Sequence, residues 1–238
     1  MNLYFLLFPP KRPVVAQVFA AGNGIDVPTI IGTGAQEIDL GPAAIVAGYS
    51  PEQFQQYITQ RLGNFSSSLP DTALEMYRDY ADPQESYETM ASDIGVTCGN
   101  HDAANAMAKT YSSPVYRYVF TSKPSKPMCN PPVLAGSSAQ GRHAASPAAT
   151  AAVVVGKPED WCPMYSFHTW DLMSFTNTTD AFGTYTPTEQ DIAFGAVLRQ
   201  KFYQLMSTGK LSDWGAVQDG VYATIDDAGV RQDSQAFH

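Results

Sequence analysis

Val27-Pro28-Thr29-Ile30-Ile31-Gly32-Thr33-Gly34-Ala35-Gln36-Glu37 is the stretch on which the fold turns. Its first seven residues are a short β-branched run that stops at glycine, the pattern of a buried strand. The run is continuously apolar rather than alternating, which suits a parallel sheet covered on both faces. A carboxylate, Glu37, follows the strand's end. In open α/β sheets functional groups gather at the carboxyl ends of strands. A carboxylate so placed can orient a histidine and stabilise its imidazolium. By position alone it reads more simply as a surface glutamate in a loop.

Helical patterns follow. Ser50-Pro51-Glu52-Gln53 supplies an N-cap, a proline at the first helical position and a glutamine at the capping-box position. Phe54, Tyr57, Ile58 and Leu62 then recur at helical spacing. Further helices are predicted over 72–80, 85–92 and 102–111. Pro114-Val115-Tyr116-Arg117-Tyr118-Val119-Phe120-Thr121 is the clearest strand, aromatic and β-branched and closed by Pro124. The stretch 131–158 is Ala, Ser, Gly and Pro with few large side chains, and reads as a flexible insert. Near the end, Thr186-Pro187-Thr188-Glu189 predicts a capped helix start. Phe194, Leu198, Phe202 and Leu205 share one face, and Gly209 stops the helix. The stretch 221–225 reads as a final strand.

This order predicts an α/β domain over 1–238 with a mostly parallel sheet and covering helices. Two or three convincing strands make a thin sheet for 238 residues, so the sheet reads as incomplete. The apolar run Leu3–Phe8 reads as a buried segment of a larger fold. It is a poor signal peptide, because no positive region precedes it, and no apolar run approaches membrane-spanning length.

Hydrophobic residues make up 44% and charged residues 16%, a globular composition. A net charge of −9 with only 14 Lys and Arg argues against nucleic acid or an anionic membrane as the main partner. Cys98, Cys129 and Cys162 form no CxxC pair and have no histidine at zinc spacing, which argues against a metal site. Cys129 and Cys162 flank the small-residue insert. A disulfide between them would staple its ends, although spacing does not establish proximity.

His168 lies among aromatics in Tyr165-Ser166-Phe167-His168-Thr169-Trp170-Asp171-Leu172. Its near-neutral pKa suits general-base work, while a packed histidine bonded to a backbone carbonyl is the plainer reading. His101, His143 and His238 share no metal-ligand spacing. The nearest approach to a G-x-S-x-G elbow, Gly136-Ser137-Ser138-Ala139-Gln140, lacks the second glycine and any preceding strand, so it is not taken as a nucleophile. No HGGG-type oxyanion segment and no nucleotide-binding glycine pattern occurs, which argues against a nucleotide cofactor.

Four segments in order resemble the type-B carboxylesterases, the cholinesterase and lipase group. Val27–Glu37 is similar to their strand-and-acid segment. Tyr87 through Ser92-Asp93 to Cys98 is similar to their helix leading to an "SD…C" motif, and Pro114–Thr121 to the strand after it. Phe167–Asp171 resembles their histidine motif, in which glycine or serine usually follows the histidine. The last helix and Trp214 also fit. The resemblance spans about 22–229 and implies the C-terminal portion of an α/β-hydrolase fold, with Glu37 as triad acid and His168 as triad histidine, 131 residues apart. It implies hydrolysis of small-molecule carboxylic esters, no metal or organic cofactor, and a secreted parent, which the sequons Asn64-Phe65-Ser66 and Asn177-Thr178-Thr179 also fit.

The family's serine elbow belongs upstream of residue 1, so a complementing N-terminal half is expected. The family's cysteine matching Cys98 pairs with a cysteine after the final strand, beyond His238 here. Two alternatives stand beside this reading. One is an esterase-like adhesion or binding protein, against which the retained Glu37 and His168 argue. The other is a stand-alone hydrolase using Ser166 or Ser174, neither of which sits in an elbow.

Overall fold

The first strand, β1, runs from Thr29 to Gly34, where the β-branched run predicts it. The computed structural model describes residues 15–39, 46–80, 82–128, 162–179 and 185–234. The insert at 131–158, the segment Leu3–Phe8, His143, His238 and the Gly136–Gln140 stretch lie outside the described residues.

A parallel partner needs a long crossover, and here it comes 80 residues later. β2, Val115–Phe120, pairs with β1 in parallel, with Thr29 opposite Val115 and Gly34 opposite Phe120. β3, Val221–Asp226, continues the sheet in parallel on the far side of β2. β4, Gly229–Ser234, folds back antiparallel on β3, giving the order β1-β2-β3-β4. The sequence predicts only the first three strands. β4 is polar and half exposed, as an outer strand with one wet face can be. β1 forms the other edge among the described residues. Because β1 and β2 end in register, the loops leaving them start side by side at one edge of the sheet.

The helices cover both faces. Between β1 and β2 lie α2 (Pro51–Leu62), α3 (Leu69–Met76), α4 (Pro83–Ser92) and α5 (Cys98–Thr110), preceded in the chain by α1 (Val15–Ala20). Between β2 and β3 lie α6 (Trp170–Thr176) and α7 (Glu189–Thr208). The pleat of β2 sorts its side chains. Tyr116, Tyr118 and Phe120 join Trp170, Met173, Phe194, Leu198 and Leu205 from α6 and α7 in the main core. Val115 points the other way, against Ala104 and Met107 of α5, with Phe19 of α1 at the margin. A third cluster, Phe54, Ile58, Ala73 and Met90, ties α2, α3 and α4 together. Burying each large apolar side chain contributes roughly 1.5–3 kcal/mol.

The cap at Ser50 forms as the sequence predicts, with Ser50 and Gln53 bonded reciprocally. The cap of α7 sits two residues later than predicted. Thr188 is the N-cap and Asp191 completes the box, because the Asp191 carboxylate also takes the Thr188 N–H at 2.7 Å. The predicted helices 85–92 and 102–111 are two parts of one run. They join through a wide π turn, Asp93–Thr97, in which the Cys98 N–H reaches back to the Asp93 carbonyl. Gly95, Gly99 and the β-branched Ile94, Val96 and Thr97 disguise this continuity in the sequence. His101 therefore lies within α5.

Cys98 is a free, exposed thiol and Cys162 takes part in a disulfide. Cys129 lies outside the described residues. Among the described residues no helix is long and apolar enough to cross a membrane.

Candidate active site

Glu37 is held by the strand that precedes it. After Gly34 the chain turns, with the Ala35 N–H on the Phe120 carbonyl at 3.0 Å and the Asp39 N–H on the Gln36 carbonyl at 3.0 Å. This turn brings the Glu37 carboxylate back over β1, where its Oε1 accepts the Gly34 N–H. The carboxylate is only 7% exposed. Gly34 has to be a glycine here, because a Cβ would stand 2.4 Å from the Ser166 carbonyl oxygen.

That close approach is the contact between the acid loop and the histidine loop. Gln36 donates its backbone N–H to the Ser166 carbonyl, and its side-chain Oε1 accepts the Ser166 N–H, both at 3.2 Å. Gln36 also donates from Nε2 to Thr89 Oγ1 on α4 at 3.0 Å. Two residues on, Asp39 Oδ2 accepts the N–H groups of Met164 at 2.8 Å and Tyr165 at 2.7 Å. The stretch 164–166 is thus tied down by four hydrogen bonds from Gln36 and Asp39.

These ties deliver His168 to Glu37. The imidazole Nδ1 lies 2.6 Å from Glu37 Oε2, the short contact of a charge-assisted bond. The carboxylate raises the pKa of His168 above its ordinary value, opposed by partial burial and helped further by Asp171. With Nδ1 committed to Glu37, the neutral ring carries its proton there and leaves Nε2 free to accept one. That is the tautomer a general base requires. The imidazole is 64% exposed, so a substrate or a second polypeptide can reach Nε2.

Immediately beyond His168, Thr169 adopts φ 72°. A β-branched residue is strained in this left-handed region, by roughly 1–2 kcal/mol. The strain turns the chain directly into α6, whose first residue, Trp170, is fully buried. Thr169→Gly is expected to relieve it and raise the thermal midpoint by a few degrees, at roughly 2–4 °C per kcal/mol for a chain of this size. A lower midpoint on differential scanning calorimetry would contradict this account of the turn.

Asp171 supports the same corner. Its Oδ2 accepts the Tyr118 hydroxyl at 2.7 Å, and burial pushes its pKa up. Ser166 and Ser174, the alternative nucleophiles, are 2% and 4% exposed. Neither stands where a substrate could reach it. Among the described residues no group of three or more His, Cys, Asp or Glu could hold a metal ion.

Of the site residues predicted from sequence, Glu37 and His168 are brought together. His101 lies elsewhere, its Nε2 against Asn105 at 2.7 Å. Sequence reasoning missed Gln36 and Asp39. The available signal was their placement on either side of Glu37, and the row Gln84, Glu88 and Ser92 at helical spacing on the facing helix.

A mostly parallel sheet with helices on both faces fits part of an α/β-hydrolase fold, and solved esterases share it. A pNB esterase matches with a TM-score of 0.54 and 18% identity, covering 93% of this chain and 38% of that one. EstA of Aspergillus niger matches at 0.55 and 15%, covering 92% and 39%. Juvenile hormone esterase of Manduca sexta matches at 0.53 and 17%, covering 92% and 40%. All three are type-B carboxylesterases, the family the four motifs resemble. At these identities the fold is what is shared, and the chain spans about two fifths of the length of these esterases. No protein-family model and no curated protein matches the sequence.

Proposed function

We propose that the chain is the acid- and histidine-bearing C-terminal part of a serine carboxylesterase acting on small-molecule esters. The observation that carries this reading is the 2.6 Å contact between Glu37 Oε2 and His168 Nδ1 at the carboxyl edge of the sheet. A serine supplied by an N-terminal part would attack the ester carbonyl. His168 Nε2 would take the serine proton and pass it to the leaving alcohol. Glu37 would hold the imidazole in its working tautomer and stabilise the imidazolium. Backbone N–H groups of the N-terminal part would receive the oxyanion. Secretion belongs to the same reading, because the disulfide at Cys162 persists in an oxidising compartment.

The purified chain is expected to hydrolyse no short-chain nitrophenyl ester. Joined to or co-expressed with an upstream polypeptide that carries a G-x-S-x-G elbow, it is expected to give hydrolysis that His168→Ala abolishes. Hydrolysis by the chain alone, lost in His168→Ala, would show a nucleophile within 1–238. Tight capture of a partner with no hydrolysis from the joined protein would favour an adhesive role.

A further inference from the structure

The mechanism makes no use of a second pair of acids buried beneath the acid loop. Asp39 and Glu88 are both 0% exposed, and the two carboxyl groups lie close enough to act on one another electrostatically. Asp39 Oδ2 is saturated by the Met164 and Tyr165 N–H groups. Glu88 Oε1 accepts from Gln84 Nε2 at 2.9 Å. The two oxygens left over, Asp39 Oδ1 and Glu88 Oε2, are buried and receive no N–H or hydroxyl. Two neighbouring buried carboxyl groups that each carry such an oxygen cannot both be anionic, since a buried polar atom without a partner and two adjacent buried charges are each costly. One proton between them satisfies both at once.

We propose that Asp39 and Glu88 share a single proton, and that this proton locks Asp39 as the clamp positioning the His168 loop against Glu37. Both are positioning residues, because neither touches His168 or the reacting atoms. The proton resides on Glu88. Two backbone N–H groups stabilise charge on Asp39, whereas Glu88 has one amide donor. The groups acting on the pair from the packed elements are acidic or phenolic: Asp82 and Tyr87 on Glu88, and Tyr165, whose hydroxyl donates to Asp82 at 2.6 Å with Glu85 nearby. Burial and the Asp39 carboxylate accordingly raise the pKa of Glu88. Stability from this proton is present at and below the ordinary glutamate range, and declines as pH rises through neutrality toward the raised value. Alkali would leave two buried carboxylates side by side and release Met164 and Tyr165 from Asp39.

The inference rests on the triad reading only for its consequence in catalysis, so its test reads no activity. In the full chain with 13C-labelled histidine, the His168 imidazole is followed by NMR from pH 5 to 10. Amide exchange at Met164 and Tyr165 is followed alongside. The wild-type chain is expected to show a raised His168 midpoint, then a second alkaline change in the His168 signal, accompanied by loss of protection at both amides. Glu88→Gln keeps an N–H donor toward Asp39 but has no proton to lose. It is expected to retain the raised midpoint and abolish the alkaline change. Asp39→Ala is expected to return the His168 midpoint to that of an ordinary imidazole. An alkaline change that persists in Glu88→Gln would overturn the proposal, and this variant decides the matter if Asp39→Ala fails to fold. An unshifted His168 midpoint in a folded Asp39→Ala chain would overturn it too. Either result would leave the esterase reading untouched.

Discussion

Glu37→Gln is expected to cost roughly ten thousand-fold in kcat in a joined, active protein, about what the loss of a triad acid costs elsewhere. The reason lies in how the carboxylate is held. Oε1 takes the Gly34 N–H and Oε2 takes His168 Nδ1. In a glutamine the remaining oxygen has to stay on Gly34, because turning the amide over would leave a buried N–H facing another N–H. The amide nitrogen then faces Nδ1 and donates to it. The imidazole proton moves to Nε2, the nitrogen that would accept from a serine in the proposed mechanism. The packing of the loop barely changes while the base is disabled. A second readout works in the chain by itself. His168 owes its raised pKa first to the hydrogen bond it donates to Glu37, so its midpoint by NMR is expected to fall to the ordinary imidazole value, about 6.5, or below. The Glu37–His168⁺ pair favours the fold below the ordinary imidazole pKa, and this is lost as pH rises through the raised value. Because the ring is largely exposed, that contribution is small, and the variant should melt close to wild type at pH 8. An unchanged His168 midpoint in Glu37→Gln would contradict the pairing.

Much of this was legible in the residues. The run Thr29–Gly34 announces β1, Val115–Phe120 announces β2, and Ser50 with Gln53 announces the start of α2, because each is a local pattern obeying local rules. The π turn between α4 and α5 was not legible. Gly95, Gly99 and three β-branched residues read as a break, and tertiary packing overrides their propensity. β4 was missed because it buries little and so carries no strong alternation. The site followed the same division. Glu37 and His168 each read more simply as a surface acid and a packed histidine, and became a pair only through four motifs taken in order. Their 2.6 Å contact depends on Gln36 and Asp39. Those two residues act across about 125 residues of chain, and no spacing rule reaches that far.

The same logic locates the largest stability effect one residue beyond the strained turn. Trp170 is 0% exposed and begins α6 directly after His168 and Thr169. Its ring lies 5.7 Å from Phe167 and meets Tyr185 edge-on at 5.9 Å. Thr169 can be held in its strained conformation only because Phe167 and Trp170, on either side of the His168–Thr169 pair, are both anchored in the main core. Trp170→Ala removes that anchor and leaves a cavity, and is expected to destabilise the chain by about 3–5 kcal/mol. That is a large share of the roughly 5–15 kcal/mol typical of a domain. The indole N–H makes the comparison sharper. It is buried and has no hydrogen-bond partner, so Trp170→Phe forfeits ring volume but no hydrogen bond, and is expected to cost about 1–2 kcal/mol. Urea unfolding would measure both variants. If Trp170 anchors the core, the alanine variant loses at least twice as much as the phenylalanine variant. The His168 midpoint is likewise expected to drop in Trp170→Ala under conditions where that chain is still folded, because the strain at Thr169 then relaxes by swinging the imidazole off Glu37. Equal losses in the two variants would point instead to the N–H as the group that matters. A folded Trp170→Ala chain with His168 still paired would mean that Gln36 and Asp39 alone hold the loop.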